Sequence, residues 1–362
     1  MNKTPKTLIV YDFLQFIGGA EYVVLHMLKS SFPDAKLLVA FKNRGLKLQI
    51  PDNKIICLGY KPKYNRFAFL KVLWLFFCNR KKLKEYDCII VHGIWAPFCL
   101  LFSSKKYFFY CHTPPRFSND LFSYYWQHFG IFKKIALYAK SVIVNFYYNR
   151  VLAKAEFVLA NSKNVQGRIK KYCKVDSQVL YPPIKIHSFQ EYPKENYYIS
   201  FARLEREKRI PYIIEAFQLC PEKNLLICSD GSKRKELQRL AQGCKNIKFV
   251  GEVTDEKLYC LIGKAIASIY IPIDEDFGMS PVESMALGVP VIGVNSGGLR
   301  ETILHNRTGW LCEEPLDIRK LIQAIYVLTP IKAKRFKKYC LQQAEKFTNS
   351  RFDTEIQRIC SI

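Results

Sequence analysis

The sequence predicts an α/β protein of two Rossmann-like domains facing each other across a cleft that holds the active site. Three observations carry that expectation. The chain has 362 residues, too many for one simple core and enough for two domains of ordinary size. It opens on a strand, a glycine turn and a helix, and a second such series begins near residue 197. An acidic, glycine-bearing stretch, EDFGMSPVE at 275–283, then leads into a helix that ALGVP cuts short.

TLIVYDF is a β-branched apolar run of the kind that forms a buried strand. LQFIGGAEYVVLHMLKS follows as a glycine turn and a helix, with Val23, Val24, Met27 and Leu28 at helical spacing. AKLLVAF, DCIIVHG, KYFFYCH and EFVLANS are further strands, each stopping at polar or glycine residues, where open α/β sheets place ligands. In the second series YYISFARL is a strand and IPYIIEAFQLC a helix. NLLICSDGS, NIKFVGEV, AIASIYIP and VPVIGVNSGG supply four more strands. The proline-bearing stretch 181–196 is the expected linker. The domains are therefore placed at 1–185 and 186–335, with 336–362 a terminal helix packing back across the interface.

Composition narrows the function. The 13 cysteines are odd in number and scattered, without a C-x-x-C, which fits a reduced, cytosolic protein rather than a disulfide framework or a zinc site. Asp12 interrupts the first apolar run and no small-residue cleavage site follows it, so a buried strand is expected there rather than a signal peptide. No apolar stretch reaches the length of a membrane span. Residues 1–190 carry 30 Lys and Arg against 9 Asp and Glu, the remainder 26 against 22. An excess so confined to one half implies an anionic partner for that half. It is not packed into an arginine-rich stripe or a known reading motif, so nucleic acid is not expected.

Spacing puts Ser280 at an N-cap, Pro281 at the first helical position and Glu283 at the third position of a capping box, with Gly288 and Pro290 ending the helix. A helix of barely two turns does not stand on propensity. Its unpaired N–H groups suit an anionic phosphate. Glu283 alone reads equally as a cap, and Glu275 alone as a solvated loop acid. Together with Phe277, Gly278 and the second turn NSGGLRE, they fit a ligand whose hydroxyls need carboxylate acceptors.

EDFGMSPVESMALGVPVIGVNSGGLRETI resembles the donor-site signature of retaining glycosyltransferases of the GT-B fold, family 4. The resemblance implies that Glu275 contacts the transferred sugar and Glu283 the ribose, with Phe277, Gly278, Met279 and Ser280 around sugar and phosphate. FARLEREKRI resembles the strand-end Arg and following Lys that neutralise a diphosphate, Arg203 and Lys208. SDGS, with Gly231, resembles the small-residue turn beside the donor. VGEV, with Glu252 and Val253, resembles the turn near the base, and GGAEYVV the glycine loop, Gly18 and Gly19. YCHTPPRFSNDL is similar to a variant of mannosyltransferase-like members, implying sugar contact for His112 and an acceptor side at Arg116 and Asp120. Asn119 and Pro115 depart from that pattern.

The resemblance implies a hexosyltransferase moving mannose from GDP-mannose to a lipid-linked or polysaccharide acceptor, with His112, Glu275, Arg203 and Lys208 in the chemistry. A UDP-sugar-using transferase or a sugar-nucleotide epimerase are the alternatives. No metal is expected: DED at 274–276 matches D-x-D literally but overlaps the donor motif. The aromatic and basic stretch 61–84 reads either as an interfacial helix or as a buried helix with a lysine-rich outer face. The expected location is the cytoplasm, peripheral at the cytoplasmic face of an anionic membrane.

Overall fold

The computed structural model describes residues 5–43, 45–60, 68–184 and 191–360. It divides into two compact units, Met1–Pro183 with Phe352–Ile362, and Ile184–Arg351. The proline-bearing linker meets this division at Pro183, although its residues 185–190 lie outside the described set.

The first unit is built on a parallel sheet of β1 (Thr7–Tyr11), β2 (Lys36–Val39), β3 (Ile55–Cys57), β4 (Cys88–Val91), β5 (Phe108–Cys111), β6 (Phe157–Ala160) and β7 (Gln178–Val179). Their order is β3-β2-β1-β4-β5-β6-β7. Strands covered on both faces read as continuous apolar runs, and β1 and β4 are buried at every position. One face packs under Val72, Phe76, Val144 and Tyr148, the other under Val23, Val24, Met27 and Phe352.

The second unit repeats the plan with β8 (Tyr198–Ser200), β9 (Leu225–Ile227), β10 (Ile247–Phe249), β11 (Ser268–Tyr270), β12 (Val291–Val294) and β13 (Gly309–Cys312). All pairings are parallel, in the order β10-β9-β8-β11-β12-β13. In each unit the winding reverses once, between β1 and β4 and between β8 and β11. Loops leaving the carboxyl ends of strands at such a reversal diverge, and the crevice they leave is where open α/β sheets bind ligands.

The single terminal helix expected from residue 336 is corrected to two. One runs Pro330–Ala344 within the second unit, and the last, Asn349–Cys360, places Phe352, Ile356 and Ile359 in the core of the first. Polar residues interrupt the helical run: Thr348 Oγ1 accepts the Arg351 N–H at 3.3 Å and starts the second helix. That helix is tied down by Asp353, which bonds His26 at 2.9 Å and also Ser31, and by Gln357, which donates to the Ser31 carbonyl at 2.6 Å.

Of the stretch 61–84, residues 61–67 lie outside the described set. The helix Ala68–Cys78 buries Val72, Leu73 and Phe76 and leaves Leu70 and Trp74 exposed. Among the described residues no helix is long and apolar enough to cross a membrane.

Candidate functional site

The predicted donor residues of the second unit gather at the β8/β11 reversal. Arg203 follows β8, Lys208 closes the short turn Arg206–Lys208, and the loop after β11 carries Glu275. Lys208 Nζ lies 2.6 Å from Glu275 Oε2 and 3.0 Å from the Tyr270 hydroxyl, which itself donates to Glu275 Oε2 at 2.8 Å. All three side chains are mostly buried, so their mutual attraction is weakly screened. Tyr270, the last residue of β11, is absent from the sequence-predicted set. Burial first, then the Glu275 carboxylate, pushes its phenol well above the ordinary range, so it stays a proton donor that fixes Glu275. Arg203 is exposed, and its positive charge opposes part of that shift.

The donor helix begins earlier than spacing implied. It spans Met279–Ala286, with Gly278 as N-cap in a left-handed conformation (φ 89°) and no side-chain cap, so the Ser280 cap and the Glu283 capping box are corrected. A left-handed residue turns the chain into the helix two positions sooner, and glycine adopts that conformation without steric cost. The amino end therefore presents backbone from Gly278, Met279 and Ser280, as an anion site requires. Glu283 sits in the second turn, partly buried, and its charge raises the Tyr270 phenol, so it belongs to the same electrostatic neighbourhood. The carboxyl end is as expected: Gly288 is left-handed (φ 69°), and the Gly288 and Val289 N–H groups return to Met285 and Ser284.

The second turn, NSGG, has a structural reason as well. Gly298 N–H donates to the Glu275 carbonyl at 2.8 Å. A Cβ on Gly297 would meet that carbonyl oxygen at 2.3 Å, and one on Gly298 would meet Asp276 O at 2.4 Å and Phe277 Cα at 2.5 Å. The two turns are in backbone contact, and only glycines permit it. Phe277 is buried edge-on to Phe347 and anchors the loop from beneath.

The remaining predicted donor residues flank this centre. Gly231 lies against the Leu204 backbone, where Glu205 accepts from Ser232 N–H at 3.0 Å and Ser232 Oγ at 2.6 Å. Val253 is half-buried and Glu252 exposed, on the turn after β10.

In the first unit the glycine turn follows β1. Gly18 caps the helix Gly19–His26, and its N–H donates to Glu21 Oε2 at 3.0 Å. Glu21 also accepts from the Tyr11 hydroxyl at 2.8 Å, so this buried carboxylate holds the loop from within. His112, one residue past β5, stacks on His92 with Nε2 3.2 Å from His92 Nδ1. Burial holds His112 down at about 3 and His92 well below its ordinary value, so both rings are neutral at pH 7. With both neutral, one ring donates the shared proton and the other accepts it, and His92 thereby sets the tautomer that His112 presents. Arg116, at the start of the short turn Arg116–Ser118, pairs with Asp120 just beyond it at 2.8 Å.

Sequence reasoning missed Tyr270, His92 and Glu21. Tyr270 and His92 stand at strand ends, where they read as core positions, and Glu21, in the first turn of the helix after the glycine loop, reads as a solvated helix acid until the fold buries it against Tyr11.

Two such sheets give the fold of the GT-B class, and the sequence is similar to glycosyltransferases, mannosyltransferases among them. Residues 183–342 match the family of glycosyl transferases group 1. The chain is similar to the α-1,3/1,6-mannosyltransferase ALG2 of Dictyostelium discoideum, 27% identical over 70% of this chain and 71% of that one. It is likewise similar to human ALG2, 25% identical over 82% and 77%. Among solved structures, Anabaena HepE in complex with UDP superposes with a TM-score of 0.76 at 18% identity, covering 98% of this chain and 99% of that one. The lipopolysaccharide glycosyltransferase WaaG gives 0.74 at 13% identity, covering 98% and 99%.

Proposed function

We propose that the protein transfers mannose from GDP-mannose to a lipid-linked saccharide with retention at the anomeric carbon. The observation that carries this reading is the Lys208–Tyr270–Glu275 cluster beside the Gly278 helix start, within the matched family region. The mannosyltransferase relatives support the choice of sugar.

In this reading Arg203, Lys208 and the Met279 and Ser280 N–H groups receive the negative charge that grows on the diphosphate as the C1–O bond breaks. Arg offers a planar fork and Lys a compact charge, a combination suited to two adjacent phosphates, and no metal is required. Glu275, held by Tyr270, accepts from hydroxyls of the transferred sugar, and Glu283 from the ribose. The acceptor oxygen attacks C1 on the face the phosphate leaves, and its proton passes to the departing phosphate oxygen. His112 is assigned to sugar contact, and Arg116 and Asp120 to the acceptor side. Peripheral contact with the cytoplasmic face of an anionic membrane would bring such an acceptor to the basic first half of the chain.

The test is a panel of radiolabelled sugar nucleotides, scored for hydrolysis without acceptor and for transfer to lipid-linked saccharides, with and without EDTA. GDP-mannose turnover insensitive to EDTA is expected. Turnover of UDP-sugars alone would overturn the donor assignment.

A further inference from the structure

The helix Ile131–Lys154 has two apolar faces. Val144, Tyr147, Tyr148, Val151 and Leu152 enter the core of the first unit. On the other side Ile131, Ile135, Tyr138, Val142 and Phe146 recur at helical spacing with Phe132 beside them, and all are exposed, Phe132 by 73% and Ile131 by 65%. A helix that serves only to cover a sheet needs one apolar face, and its outer side is polar. A contiguous apolar stripe on the outside of a soluble fold marks a surface that something covers.

The charge around the stripe identifies what covers it. Residues 121–155 contain no Asp or Glu, while Lys133, Lys134, Arg150 and Lys154 lie along the helix; Lys140 is turned inward, over the Phe69, Trp95 and Phe117 rings. Ahead of it the helix Phe122–His128 exposes Tyr124 and Trp126, and Lys134 sits over the Trp126 ring at 5.6 Å. Apolar residues along one face, basic residues at its borders and Trp and Tyr at one end are the requirements of a helix lying in the headgroup plane. Helix Ala68–Cys78, on the stretch that the sequence left open between an interfacial and a buried helix, exposes Leu70 and Trp74 alone of its large apolar side chains.

We infer that the outer face of Ile131–Lys154, with Trp126, is an anionic-lipid docking surface, inserting its apolar stripe between acyl chains while its lysines meet lipid phosphates. The inference deepens the peripheral-membrane part of the proposed function and rests on it, but not on glycosyl transfer.

The test is sedimentation of the full chain with vesicles of phosphatidylcholine containing about 30% phosphatidylglycerol. Wild type, a Phe132→Ser/Tyr138→Ser/Phe146→Ser variant and a Leu70→Ser/Trp74→Ser variant are compared, each checked for an unchanged melting temperature and circular dichroism spectrum. Because all substituted positions in the first variant are solvent-exposed, the core is left intact. Wild type should bind, more weakly at 0.5 M salt; the triple variant should lose tenfold or more in partitioning and the double variant less than twofold. If wild type binds and the triple variant binds equally, this surface is not the dock although membrane contact stands. Absence of wild-type binding removes both. A concentration-dependent wild-type dimer in light scattering that the triple variant abolishes would make the face a contact between copies and overturn the proposal.

Discussion

Glu275 is held from two sides, by the Lys208 ammonium and the Tyr270 phenol, and this decides what its replacement should do. Glu275→Gln keeps the shape and removes the charge, so kcat with the sugar-nucleotide donor should fall about 100-fold, the scale of losing one preorganised electrostatic group. Tyr270→Phe leaves the carboxylate charged but loosely oriented; about a tenfold loss in kcat with KM little changed is expected. Steady-state kinetics on both variants checks the order. Equal losses would mean that Tyr270 does more than orient. The His92–His112 stack makes a pH prediction. Both folded-state values are depressed, so the unfolded chain takes up protons that the folded chain refuses. The stability linked to these rings is complete above the ordinary histidine value of about 6.5 and is lost as pH falls toward about 3 for His112. His112→Gln should therefore lose less stability than wild type between pH 7 and pH 5, by about 2 kcal/mol at about 1.4 kcal/mol per pH unit. Urea unfolding at the two pH values measures it, and parallel losses in both proteins would contradict it. Glu275, Arg203 and Lys208 were legible because each sits in a short motif. Tyr270 and His92 were not: an aromatic or histidine at a strand end reads as core until the neighbouring strand's loop is placed beside it.

At the scale of elements, the interlocked turns around Glu275 and Gly298 fix the donor loop. Gly298→Ala puts a methyl into the backbone of Asp276 and Phe277, an overpacking that should cost about 1–3 kcal/mol and abolish most transferase activity. Melting temperature and turnover should fall together. A variant with full activity would show that the loop need not hold this shape. The last helix supports the first unit in the same way. Phe352 is fully buried in the core beside Val23 and Met27, and Phe352→Ala should destabilise that unit by about 3–5 kcal/mol. Hydrogen exchange in β1 and β4 would show it, and unchanged protection there would refute it. Most strands were legible as apolar runs, whereas β3, β7 and β13 were not. β7 is two residues long, β3 carries an exposed Cys57 and β13 opens on a glycine with three apolar residues after it, so none has enough pattern to stand apart from a loop. The start of the donor helix was misplaced for a comparable reason: Ser280 and Pro281 are strong capping signals, and the left-handed Gly278 overrides them.

For the whole molecule, two repeated α/β units and the uneven charge between halves were both legible in the chain. The outward face of Ile131–Lys154 was not, because its sequence is apolar on two sides and only the fold tells which side meets the core. The central claim is that the second unit binds the donor diphosphate at the β8/β11 reversal. A crystal structure with GDP bound tests it most directly. The diphosphate should lie within hydrogen-bond reach of Arg203, Lys208 and the Met279–Ser280 backbone, with the ribose at Glu283. A nucleotide seated away from these residues would contradict the account.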